Sequence, residues 1–189
     1  MPLAYRHQTA VPAFPGVYVA SVEGVEAEDD DRLGRIQVSV PAVFGEVSPE
    51  YHVWARPCFP YGHFFVPEKG DRVWVAFENG DPTAPVWLGV LYPKGKVPAE
   101  ADASPPAKRV VKTSSGHLIV LDDTSGSVSV EIKVGQHNHV ISLKQDGIAI
   151  EDGVHKHKIQ FDAKGITIES AGDVDIKSGR SGKINLNPP

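Results

Sequence analysis

Two His-x-His pairs, His137 with His139 and His155 with His157, are the residues of this chain best suited to chemistry. Imidazole nitrogens are common ligands of transition metals, so two on one side of a strand form a candidate clamp. The pairs recur because the sequence repeats. GQHNHVISLKQDGIAIED, residues 135–152, is followed directly by GVHKHKIQFDAKGITIES, residues 153–170, and eight of the eighteen positions are identical. Each pair runs into apolar residues of the same alternation, Ile141 and Leu143 or Ile159 and Phe161. The intervening Asn138, Val140, Lys156, Lys158 and Gln160 are mostly polar. An unbroken strand therefore puts the histidines on the face that carries the core, where they must be neutral or metal-bound because a buried imidazolium is costly. A one-residue bulge between His139 and Ile141 reverses that inference and turns the rings outward.

Such residues need a scaffold, and the surrounding sequence is β throughout. From Val110 to Leu186 the apolar residues are almost all Val, Ile and Leu in alternation, in LIVL, VSVEIKV, VISL, IAI, KIQF, ITI, VDI and INL, with Gly or Asp every few residues. Strands this thin cannot close a sandwich alone. They are expected to stack on one another or on copies in other chains, as an obligate oligomer built like a slender intertwined β-helix. Upstream, residues 16–93 hold five β-rich runs, GVYVASVEGV, RIQVSVPAVF, YHVWARPCF, DRVWVAF and PVWLGVLY, separated by Gly, Pro and Asp turns. Five strands in so short a stretch predict a small barrel. Residues 94–109, with KGKVPAEADASPPAK, read as a linker, and residues 1–15 as an extended arm. No helical period of any length occurs.

Composition narrows the function classes. The chain has 189 residues, 41% of them apolar, and a formal charge of −5, which disfavours a nucleic-acid binder needing a basic stripe. Its one cysteine, Cys58, excludes an intrachain disulfide framework. The start, MPLAYRHQTAVPAF, lacks the pattern of a secretory signal, and no stretch approaches the roughly 18 apolar residues of a membrane span. Synthesis in the cytoplasm is expected.

The run DRLGRIQVSVPAVF, residues 31–44, followed by VWARPCFPYGHFFVPEKGDRVWVAFENGDPTAPVWLGVLY, residues 53–92, closely resembles the OB-fold domain of contractile-tail spike proteins. This family includes the phage baseplate central spike, the phage baseplate assembly protein V and the VgrG spike of type VI secretion. Gly34-Arg35-Ile36, Trp54-Ala55-Arg56-Pro57, Phe65-Val66-Pro67, Gly70 to Phe77, Gly80-Asp81-Pro82 and Pro85 to Gly89 carry the likeness together. The segments 112–117 and 182–187 resemble the needle of the same family.

The resemblance implies an all-β homotrimer in which an N-terminal OB-fold barrel is followed by a C-terminal triple-stranded intertwined β-helix needle. Such a needle pierces the target cell envelope when the sheath contracts, in a virion tail or injection particle. The chain is short for the family, so a separate baseplate hub protein is expected above the OB domain. A PAAR-like tip protein or an effector is expected at the far end. Residues 94–108 leave no room for an inserted lysozyme domain. In a trimer one inward pair per chain brings six imidazoles together, enough for an octahedral iron or zinc ion at about 2.0–2.2 Å from each nitrogen. Some spikes of this family hold iron at a His-x-His site, so His137, His139, His155 and His157 are the candidate ligands.

Rival assignments are weaker. Glu28 to Asp31 lacks the spacing of a calcium loop and reads as a solvated hairpin tip. Trp54, Trp74 and Trp87 with Phe59, Phe64 and Phe65 offer base-stacking platforms for an OB-fold binder of single-stranded nucleic acid, but without clustered Lys and Arg beside them core and contact roles are favoured. His117 after Ser114-Ser115-Gly116 has no nucleophile elbow around it. No enzymatic activity is expected.

Overall fold

A computed structural model of the chain describes residues 13–25, 32–45 and 48–176. The arm up to residue 12, the acidic run 28–31 and the presumed needle end 182–189 lie outside the described residues. The chain divides into two units, Met1–Lys96 and Val97–Pro189.

The first unit is a closed five-stranded barrel of β1 (Val17–Gly24), β2 (Ile36–Ser39), β3 (Val53–Pro57), β4 (Arg72–Phe77) and β5 (Pro85–Val90), in the order β1-β2-β3-β5-β4. Only β3 and β5 pair in parallel. Period-two alternation builds the core: Ala20 and Val22, Ile36 and Val38, Ala55, Val73, Val75 and Phe77, and Trp87 point inward and are buried. Register shifts at Val22/Gly24 and Trp74/Val75 supply the local bends that closing so few strands requires. This barrel has the strand order of an OB fold. The sequence RIQVSVPAVF does not continue as strand to its end. Pro41–Phe44 form one short helical turn with Pro at its start, the position where a missing N–H costs nothing.

The family-like motifs sit at the barrel's tight points. Gly34 has φ +75°, and a Cβ there would stand 3.0 Å from the Phe59 ring and 3.2 Å from Phe64. Its carbonyl accepts the Trp87 Nε1–H at 3.2 Å, while the Phe59 ring meets Trp87 edge-on at 5.0 Å. Asp81 closes the turn before β5 by accepting both the backbone N–H and the hydroxyl of Thr83, at 2.8 and 2.7 Å. Those two bonds lower its pKa. Trp54 is half-buried, with the Arg35 guanidinium 5.9 Å from its ring centroid, and Trp74 lies on the barrel's outer surface. The three tryptophans thus do not form one stacking platform.

The second unit is a seven-stranded antiparallel sheet of β6 (Lys108–Lys112), β7 (Leu118–Asp122), β8 (Ser129–Val134), β9 (His139–Lys144), β10 (Gly147–Glu151), β11 (Lys158–Asp162) and β12 (Gly165–Glu169). Each strand pairs with its neighbours in sequence, so the sheet is a meander and each 18-residue repeat is close to one hairpin plus its turns. Intertwining, where it occurs, is an arrangement of several chains and not of this one. β6 begins at Lys108, inside the expected linker, which also holds a 3-10 turn, Ala99–Ala101, whose Glu100 meets Lys112 at 2.8 Å.

The two faces of this sheet differ sharply. One carries two unbroken columns: Val111, Ile119, Ile132, Ile141, Ile150, Ile159 and Ile168 in cross-strand register, and beside them Leu121, Val130, Leu143, Ile148, Phe161 and Ile166. All but the half-buried Val130 are exposed, from 38% for Ile159 to 69% for Ile166. The other face carries Val120, Glu131, Ser142, Ala149, Gln160 and Thr167, with ion pairs Lys108–Asp122 and Lys158–Glu151 across neighbouring strands.

Candidate functional site

The histidines gather along one edge of the second-unit sheet. The turns at 113–117, 135–138 and 152–157 lie at one end of the strands and those at 123–128, 145–146 and 163–164 at the other, so His117, His137 with His139, and His155 with His157 recur at intervals of two strands, roughly 10 Å. The turns touch. A Cβ on Gly135 would strike the Ser115 carbonyl, and one on Gly153 would strike the carbonyls of His137 and Asn138. Glycine opens each repeat because the previous turn occupies the space a side chain needs. Gly153→Ala should accordingly cost the sheet about 1–3 kcal/mol through a forced backbone shift. The check is the melting temperature of the second unit, read beside Gly172→Ala, where a Cβ meets nothing within 4 Å.

The expected single face for both members of each pair is corrected by the turns. β9 starts at His139 and β11 at Lys158, and the residues between the paired histidines, Asn138 and Lys156, take φ of +52° and +65°. That left-handed kink ends the alternation. His139 remains in phase with Ile141 and Leu143 and stands opposite Val134, while His137 sits in the preceding turn, exposed. His157 stands opposite Asp152, whose N–H donates to the His157 carbonyl at 2.8 Å, and His155 sits in the turn, exposed. Ring centroids are 5.7 Å apart in the first pair and 5.9 Å in the second, the latter stacked.

Asp152, the last residue of the first repeat, joins the two copies. Its Oδ1 accepts the backbone N–H of Val154 at 2.9 Å and of His155 at 3.2 Å, an Asx turn. The same oxygen lies 3.0 Å from His139 Nδ1, and Oδ2 lies 2.8 Å from His155 Nδ1. The Val154 backbone N–H first, and then the ring and backbone N–H of His155, hold the carboxyl well below the usual carboxylate range. Nothing in the repeat pattern marks this residue, since its counterpart in the second copy is Ser170. Ser170 also holds a histidine in place, with its hydroxyl 3.1 Å from His157 Nδ1, which accepts the Ala171 N–H at 3.3 Å as well. His117 belongs to the β6–β7 turn, where Thr113 and His117 exchange hydrogen bonds.

Imidazole and carboxylate suit a zinc- or iron-class ion, so the donor set of this edge fits the expected metal. Among the described residues of one chain, no group of three or more His, Cys, Asp or Glu side chains is arranged to hold it.

Comparison with known proteins places the barrel. Residues 18–92 match the type VI secretion system/phage-baseplate injector OB domain. Over 157 residues, 72% of the chain, it is 25% identical to the type VI secretion system spike protein VgrG3 of Vibrio cholerae. The match covers 15% of that relative's length. The OB strand order, Gly34 under Phe59 and Trp87, and the Asp81 turn all fall inside the matched residues, so it is the barrel that is similar to the injector OB domain of contractile-tail spikes.

Proposed function

We propose that this chain is the structural spike of a contractile phage tail or contractile injection system, working as a homotrimer at the baseplate centre. Three second-unit sheets pack apolar face to apolar face into a β-helical needle. The carrying observation is the pair of apolar columns, Val111 to Ile168 and Leu121 to Ile166, which one chain leaves in water. Monomeric proteins rarely expose so continuous an apolar surface, and three symmetry-related copies bury it together.

The action is mechanical. Force from sheath contraction is concentrated by a narrow, rigid needle on the target envelope. Rigidity comes from filled β ladders and a dry axis of Val, Ile, Leu and Phe. A hub protein sits above the barrel, and the far end carries a tip protein or effector. The His-x-His edge holds an iron or zinc ion between chains, which staples the needle against unwinding. No catalytic step and no nucleic-acid partner belong to this role. The protein is made in the cytoplasm and acts after assembly into the particle. Native mass spectrometry tests the reading: it expects three chains of 20.4 kDa each. A species of one chain at micromolar concentration contradicts it.

A further inference from the structure

We propose that residues 98–107 are a strap and not a free connection: fastened at Glu100 and again at Ala107, they make a pull from the barrel meet the Glu100–Lys112 pair before it reaches β6. The strap belongs to one chain, and its use in carrying load rests on the spike reading.

The path of the chain carries the inference. The barrel holds the chain as far as Leu91, whose N–H donates to the Arg72 carbonyl at 2.7 Å. The second unit takes it up at the 3-10 turn Ala99–Ala101, closed by the Ala101 N–H on the Pro98 carbonyl and the Asp102 N–H on the Ala99 carbonyl. From this turn both carboxylate oxygens of Glu100 accept Lys112 Nζ, at 2.8 and 2.9 Å. The lysine and glutamate side chains are 35% and 32% exposed, so water screens the pair only in part. Lys112, Leu118 and Lys133 form one cross-strand row on the face opposite the apolar columns. Lys112 first, and more weakly Lys133, lower the Glu100 pKa, which sets the carboxylate over this row. Between the two lysines Leu118 is 7% exposed, the one buried apolar side chain of the second unit among the described residues. Yet Lys112 is the last residue of β6. The chain therefore meets the far end of that strand first and runs back about 13 Å before beginning it at Lys108. There the Ala107 carbonyl accepts the Asp123 N–H at 2.9 Å and Arg109 Nη1 at 3.1 Å. Protection matters because β6 is an edge strand, paired with β7 alone. A pull on Lys108 would open its ladder one rung at a time, whereas a pull on the strap must first part a charge-assisted double hydrogen bond.

The test uses the full chain. Amide exchange is expected to show Ala101 and Asp102 protected in the wild type. Glu100→Lys, which sets three cations together, should speed exchange at those amides and along β6 about 5-fold or more and leave β10 to β12 unchanged. Glu100→Gln should do the same to a lesser degree, and reversing the pair, Glu100→Lys with Lys112→Glu, should restore protection. For the load, the chain is stretched in optical tweezers between Tyr61→Cys, at a fully exposed barrel position, and Gln145→Cys, in a turn of the sheet, with Cys58 replaced by serine. A lengthening of about 15 Å is expected before the sheet opens, as residues 100 to 108 straighten. Glu100→Lys should abolish that step and lower the force at which β6 opens. Unprotected Ala101 and Asp102 in the wild type overturn the strap, as do a reversed pair that restores nothing, equally faster exchange in β10 to β12, or equal opening forces. The strap can fail in a trimeric protein and leave the spike reading standing. A monomeric native mass overturns the spike reading and leaves the strap to be judged by exchange and force alone.

Discussion

Ile150→Asp is expected to dissociate the proposed trimer into single chains. Ile150 lies mid-column between Ile141 and Ile159 and is 47% exposed in one chain. In the proposed trimer that surface is covered in all three chains. Truncating it forfeits on the order of 1 kcal/mol of burial per chain, about half the worth of a fully buried isoleucine. The carboxylate does far more damage: an unpaired charge in an apolar axis costs several kcal/mol per chain, and three like charges meet there. Thr167→Asp places the same charge on the opposite face of β12, beside Gln160, and should leave the trimer intact. Sedimentation velocity of the two variants separates an effect of face from an effect of charge. Equal dissociation by both would mean that the apolar columns do not carry assembly.

Trp87→Ala should unfold the barrel while leaving the second unit folded. Trp87 is 3% exposed, donates to the Gly34 carbonyl and packs against Phe59, so its loss opens a cavity and strands a buried acceptor. Large-to-small changes of this kind cost about 3–5 kcal/mol. For a domain of this size that is a fall in melting temperature of roughly 12 °C or more. Trp87→Phe keeps the edge-on contact but not the hydrogen bond and should be the milder change. Calorimetry on the full chain should resolve two transitions, of which the tryptophan variants move one.

The barrel was legible because its runs alternate cleanly and its turns use residues with fixed backbone needs. Each of the five runs contains the strand it predicts, and Gly34, Asp81 and Trp87 have physical reasons for their places in the motifs. The overshoot at Pro41–Phe44 has a simple cause: VPAVF is apolar enough to extend a strand, but Pro41 starts a helical turn as readily as it ends a ladder. In the second unit LIVL, VSVEIKV, VISL, IAI, KIQF and ITI each became a strand, whereas VDI, residues 174–176, did not.

The histidine edge was only half legible. Alternation placed His139 correctly beside Ile141, yet the same parity carried His137, His155 and His157 onto strands that had not begun. The residues responsible, Asn138 and Lys156, adopt left-handed backbone without glycine, and lysine there gives no sequence warning. Asp152 was invisible for another reason. Its partners are 13 residues upstream and three downstream, a contact produced by hairpin register and not by any local motif. Spacing alone therefore pairs the histidines within each repeat, while the fold links them across repeats.

The most direct test of the inward apolar face is interchain cross-linking at adjacent positions of β10. With Cys58 replaced by serine, Ile150→Cys and Ala149→Cys place one thiol on each face of the same strand. Under mild oxidation Ile150→Cys is predicted to give covalently linked chains, because three such residues surround the axis, and Ala149→Cys is predicted to remain unlinked. Linkage through position 149 and not through 150 would put the apolar columns outside and contradict the needle proposed for this chain.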